Sequence, residues 1–122
     1  MTHIVELGKL YPPHVGGVER HMQELVAHLL RDPGTRVDVL CGQDHAAPED
    51  AERGERCSVR RLATVARVMS TPIAFGLRRA LAKLAPDVIH FHSPYPWADV
   101  AGAEAFARFP LVVTHHMDIV RR

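Results

Sequence analysis

Short apolar runs alternate with amphipathic stretches along this chain. His3-Ile-Val-Glu-Leu7 is apolar with one polar interruption, which predicts a central strand of a parallel sheet. From Val18 the apolar positions Val18, Met22, Leu25, Val26, Leu29 and Leu30 recur at helical spacing, while Glu19, Arg20, Gln23, Glu24 and Arg31 take the other face. Asp32-Pro33-Gly34 ends that helix, and Arg36-Val-Asp-Val-Leu-Cys41 alternates as a second strand. Residues 42 to 57 mix Gly, Pro, His and charged side chains without period, which predicts an exposed loop with no chemistry of its own. Ser58-Val-Arg-Arg-Leu62 reads as a short third strand, nearer an edge because of its two arginines. A second amphipathic helix is expected over Pro72 to Ala85, with Pro72 in its first turn and Pro86 stopping it. Asp87-Val-Ile-His-Phe-His92 is the fourth strand and Ser93-Pro-Tyr-Pro-Trp97 its exit loop. An alanine-rich helix from about Ala98 to Arg108 and a fifth strand, Pro110-Leu-Val-Val-Thr-His-His116, complete the pattern.

Strands that alternate with helices predict an α/β fold with a doubly wound parallel sheet, since parallel neighbours need a crossover and helices cover both faces. The expected strand order is 3-2-1-4-5. Strands one and four are then neighbours whose following helices leave toward opposite faces, opening a crevice at their carboxyl ends.

At 122 residues the chain has the length of one domain. A hydrophobic share of 47% with 24% charged residues disfavours disorder and membrane spanning. Net charge is +1 and the basic residues are scattered, so nucleic acid is a poor candidate partner. Met1-Thr2-His3-Ile4 runs directly into a strand without the features of a signal peptide, from which cytoplasmic residence is expected. Cys41 and Cys57 lack CxxC spacing and are expected as reduced thiols.

Three loops empty into the predicted crevice. The first, Leu7-Gly-Lys-Leu-Tyr-Pro-Pro-His-Val-Gly-Gly-Val-Glu-Arg-His21, is a strand, a glycine loop and a helix start. Such a junction presents unpaired backbone N–H groups and the positive end of a helix dipole, a usual seat for phosphate. It is neither a P-loop, having no Lys-Ser or Lys-Thr, nor the three-glycine dinucleotide fingerprint. The other two are Phe91-His-Ser-Pro-Tyr-Pro-Trp97 and His115-His116-Met117-Asp118. Phosphate donors, imidazoles, aromatics and a carboxylate thus meet where ligands usually bind. For His90 a buried structural role is favoured over contact with a ligand, and Trp97 also reads as helix-entry packing.

The run Tyr11-Pro-Pro-His-Val-Gly-Gly-Val-Glu-Arg-His21, then Pro86-Asp-Val-Ile-His-Phe-His-Ser-Pro94, then Val112-Val-Thr-His-His-Met-Asp-Ile-Val120 resembles the amino-terminal domain of family 4 glycosyltransferases. The resemblance covers nearly the whole chain. It implies a Rossmann-like, acceptor-side half of a GT-B fold, in a retaining enzyme of hexosyltransferase type. Such an enzyme moves a sugar from a nucleotide diphosphate sugar to a sugar, lipid or small-molecule acceptor, with no metal or other cofactor. By the same resemblance Gly16 and Gly17 approach the donor diphosphate and His116, rather than His115, is the catalytic histidine. His21, His92, Tyr95, Trp97 and Asp118 would line the acceptor and sugar side. The family's second, donor-binding domain carries a pair of glutamates that has no counterpart here. The expectation is therefore one truncated domain over residues 1 to 122, folded but inactive without a carboxy-terminal domain. A lipid-linked acceptor would place the full enzyme at the inner membrane face, where Arg78, Arg79 and Lys83 could meet anionic lipid, though a solvated helix face is the favoured explanation for them.

Two rival readings use the same residues. A metal-dependent hydrolase could draw ligands from His90, His92, His115, His116 and Asp118. A stand-alone phosphate-binding module would need only the glycine loop.

Overall fold

A computed structural model of the protein describes residues 1–116. The elements run β1 (Thr2–Leu7), α1 (Gly17–Leu29), β2 (Thr35–Cys41), β3 (Asp50–Arg53), β4 (Cys57–Arg61), β5 (Ala66–Val68), β6 (Thr71–Ile73), α2 (Leu77–Leu84), β7 (Val88–Ser93), α3 (Pro96–Ala101), α4 (Ala103–Arg108) and β8 (Leu111–His115). Six strands form one sheet in the order β3-β4-β2-β1-β7-β8, parallel except where β3 runs antiparallel to β4. The five predicted strands therefore lie in the predicted order, with a sixth added outside the third.

Alternation along the inner strands divides the core into two layers. Val37, Val39 and Cys41 face α1, where Met22 and Val26 cover them. Val5, Leu7, Leu40, Ile89 and Phe91 face the opposite layer, closed by Leu77 and Leu81 of α2 with Ala98 and Ala105 of the short helices. Each fully buried side chain of this size contributes about 1.5–3 kcal/mol, so the layers supply most of the stability. Cys41 and Cys57 are both free thiols, and burial pushes Cys41 up to about 12. No helix among the described residues is long and apolar enough to cross a membrane.

The departures from expectation have local causes. Strand β3, within the segment read as a loop, consists of four exposed residues and shows no apolar alternation. Arg61 holds it by ion pairs to Asp50 at 3.4 Å and Glu52 at 2.7 Å. The second helix begins at Leu77, not Pro72, because Pro72 lies in β6 of a hairpin with β5. Met69 and Ser70, both at positive φ, make the turn of that hairpin. Tight hairpin turns of this kind usually announce themselves by Asn-Gly or Asp-Gly, which is missing here. The alanine-rich helix is broken in two at Gly102, which caps α3 and begins α4. A Cβ there would lie 2.6 Å from the Ala98 carbonyl oxygen and 2.8 Å from the Phe106 ring.

Candidate active site

Glu6 sits between Val5 and Leu7 in β1, so alternation turns its carboxylate toward the α1 layer. Strand register does the rest. Glu6 is paired with His90 of β7, and His92, two residues on, shares that face and is paired with Thr114 of β8. Neither Glu6 nor His92 is accessible, at 0% and 1% exposure. Two imidazoles converge on the one carboxylate: His92 Nε2 lies 2.6 Å and His90 Nδ1 3.0 Å from Glu6 Oε1. The far nitrogen of His90 meets Thr114 Oγ1 at 2.7 Å, and His92 Nδ1 meets His116 Nε2 at 3.0 Å. From α1, His21 packs its ring edge-on to His116 and His92, with centroids 5.3 and 6.1 Å apart.

A carboxylate placed inside a fold needs compensation, and the polar partners determine its state. Burial alone would raise the Glu6 pKa, but hydrogen bonds from His90 and His92 outweigh it and bring the carboxyl below its ordinary value. His116 is held below the usual imidazole value, first by burial and then by its neighbours His92, His21, His90 and His115. Its ring is therefore kept neutral to lower pH than a free histidine.

Beside this network lies the start of α1. Gly16 is the residue before the helix, with extended backbone, and no side chain caps the first turn, so its N–H groups remain free for a ligand. A Cβ at Gly16 would collide with the Glu19 carboxylate, which His14 holds at 2.8 Å. A Cβ at Gly17 would meet nothing within 4 Å. Gly16, Gly17, Lys9, Arg67 and His116 open together onto a cleft of about 220 Å³, with the buried His92 behind its wall. Among the described residues, Glu19 is the single carboxylate in its lining. Lys9 and Arg67 form no ion pair among the described residues, which leaves two cations in the cleft wall. A second cleft, of about 320 Å³, shares Leu10 and His14 with the first and is lined further by Gln43, Asp44 and His45. The segment expected to lack chemistry thus borders the site.

The predicted residues separate cleanly. His116, His92, His21, Gly16 and Gly17 are brought together. Tyr95 is not: it is wholly buried in the core, and its hydroxyl donates to the Pro72 carbonyl at 3.0 Å. Trp97 likewise leaves the cleft, donating from Nε1 to the Ala74 carbonyl at 2.9 Å and packing on Phe75. Both exit-loop aromatics fix the hairpin and α2 to the sheet, and the acceptor-lining role expected for them is corrected accordingly. Tyr95→Phe should cost about 1 kcal/mol by removing one hydrogen bond, read as a small fall in the urea midpoint. His115 points away, toward Ser93 Oγ at 3.2 Å, and Asp118 lies outside the described residues. Glu6, Lys9 and Arg67 were missed. Glu6 alone had a visible signal, as a carboxylate in the middle of a buried strand.

The ligand set expected for a metal site is also changed. Glu6, His90 and His92 have ligand atoms within 4.8 Å of one another and could approach one ion, but His115 is not among them. Bonds of about 2.1 Å in tetrahedral geometry keep ligand atoms roughly 3.4 Å apart. The 2.6 Å contact between Glu6 and His92 is instead that of a hydrogen bond and would have to open before an ion entered.

A mostly parallel sheet flanked by helices, with a glycine turn and an imidazole facing one cleft at the strand ends, defines a Rossmann-like domain with a ligand cleft. The family model of Glycosyltransferase Family 4 matches residues 15–122, and the chain belongs to that family as an amino-terminal domain. No curated protein and no solved structure matches it.

Proposed function

We propose that this domain supplies the acceptor-side half of a retaining GT-B glycosyltransferase that uses a nucleotide diphosphate sugar. The observation that carries the reading is the single cleft shared by the uncapped glycine turn, two cations with no ion pair among the described residues, and His116. Backbone N–H groups of the turn, with Lys9 and Arg67, receive the diphosphate, where anionic oxygens gain from both the helix dipole and the side-chain charge. Glu19, whose carboxylate lies beside Gly16, is engaged by the His14 ring at 2.8 Å. His116 contacts the transferred sugar. The neighbouring cleft, with an amide, two carboxylates and two imidazoles, offers polyol-type hydrogen bonding to an acceptor.

A second, donor-binding domain completes the site, and the chemistry takes place between the two on the cytoplasmic side, without a metal. The transferred sugar is a hexose, and the acceptor is a sugar, a lipid or another small molecule. Nothing in this role calls for a ligand set like that of a hydrolase.

Gly17→Val tests the phosphate seat. The space around Gly17 predicts an unaltered fold, whereas a branched side chain at the turn blocks a diphosphate. Titration of the two-domain enzyme with nucleoside diphosphate, beside a melting curve, should show affinity falling at least tenfold with the melting temperature unchanged. Unchanged affinity in a folded variant would overturn the assignment.

A further inference from the structure

We infer that Glu6 is a positioning residue which, through His92, fixes the tautomer of His116 and so restricts what His116 can recognise. A carboxylate has no proton to give, so the 2.6 Å contact requires His92 Nε2 to be the donor. In neutral His92 the other nitrogen, Nδ1, is then a bare acceptor. Its partner 3.0 Å away, His116 Nε2, must supply the proton. His116 is left with an unprotonated Nδ1, which has no hydrogen-bond partner among the described residues.

The consequence is specific. At the cleft His116 accepts a hydrogen bond and does not donate one, so its ligand partner is a hydroxyl of the sugar and not a carbonyl or phosphate oxygen. His90 reinforces the arrangement, because its own N–H occupies the same carboxylate and its far nitrogen accepts from the Thr114 hydroxyl. Every imidazole nitrogen and carboxylate oxygen of the buried part is thereby used once the protons are placed this way. The identity of the ligand rests on the glycosyl-transfer reading, but the proton positions do not.

The ring nitrogens of the 122-residue chain can be read directly by long-range ¹H–¹⁵N correlation at roughly pH 8.5, about two units above the imidazole pKa. His92 and His116 should each appear as a single tautomer protonated at Nε2. A scalar coupling across the hydrogen bond should link His92 Nδ1 to His116 Nε2. Glu6→Met, which removes the acceptor, should convert both rings to tautomer mixtures and abolish the coupling. Glu6→Gln, which retains an acceptor oxygen, should restore them. A wild-type spectrum with His92 protonated at Nδ1, or with mixed tautomers, would overturn the inference even if Glu6→Met fails to fold. A folded Glu6→Met with the wild-type pattern would do the same. Because none of these readings involves turnover, failure here is distinct from failure of the transferase assignment.

Discussion

His116→Ala should lower the turnover of an enzyme carrying this domain with its donor-binding partner about a hundredfold, while His115→Ala leaves turnover within a few-fold of normal. A preorganised hydrogen bond near the reacting centre contributes about 2.7–4 kcal/mol in the transition state, which sets that magnitude. The two histidines are adjacent, but strand geometry sends them to opposite sides. His116 lines the cleft and bonds to His92, whereas His115 is exposed beside Ser93. The pH dependence follows from the direction of the His116 shift. A lowered pKa keeps the ring neutral, so activity persists below the ordinary value of 6.5 and is lost as the pH falls through the depressed one. Steady-state kinetics of both variants across that range checks the prediction, and a severe loss confined to His115→Ala would reverse the assignment.

Glu6→Ala should destabilise the domain by about 2–6 kcal/mol, since leaving a buried donor unsatisfied costs about 1–3 kcal/mol and two lose their acceptor. Two imidazole N–H donors would be left facing an apolar cavity, and against a total of about 5–15 kcal/mol the loss is large. Urea unfolding should show a much lower midpoint, with Glu6→Gln intermediate because it still accepts a hydrogen bond. The stabilising effect also has a defined pH window. With the folded pKa below the unfolded value of 4.5, the contribution is present above 4.5 and disappears as pH falls through the folded value. Acid titration of Glu6→Ala should therefore lack part of the wild-type loss of stability. Equal stability of the two proteins at neutral pH would show that the network contributes nothing.

The order of the five main strands was legible because buried parallel strands must be nearly continuous apolar runs, as Val37 to Cys41 and Val88 to Phe91 are. The charged strand Asp50–Arg53 was not, since its place depends on ion pairs to Arg61 and not on burial. The hairpin of Ala66–Ile73 was hidden by a Met-Ser turn and by Pro72, which reads equally well as a helix start. In the site, His116 and the glycine pair were visible through their motifs. Tyr95 and Trp97 were misplaced because an exit loop says nothing about which face its aromatics take, and both donors found carbonyls behind the loop. Glu6 could have been found by asking where a carboxylate in a buried strand obtains its compensation. The partners answering that question lie far along the chain.

That distance governs how the protein is made. Glu6 precedes His90 by 84 residues and His92 by 86. At the usual 5–20 residues per second, roughly 4–17 seconds of synthesis separate the carboxylate from its imidazoles. In that interval β1 can pair with β2, but its other edge and its charge remain in water. Only arrival of β7 closes the sheet centre and builds the histidine cluster in the same step. A nascent chain therefore acquires the buried Glu6–His90–His92 cluster together with its last central strand, and pieces ending before His92 hold neither.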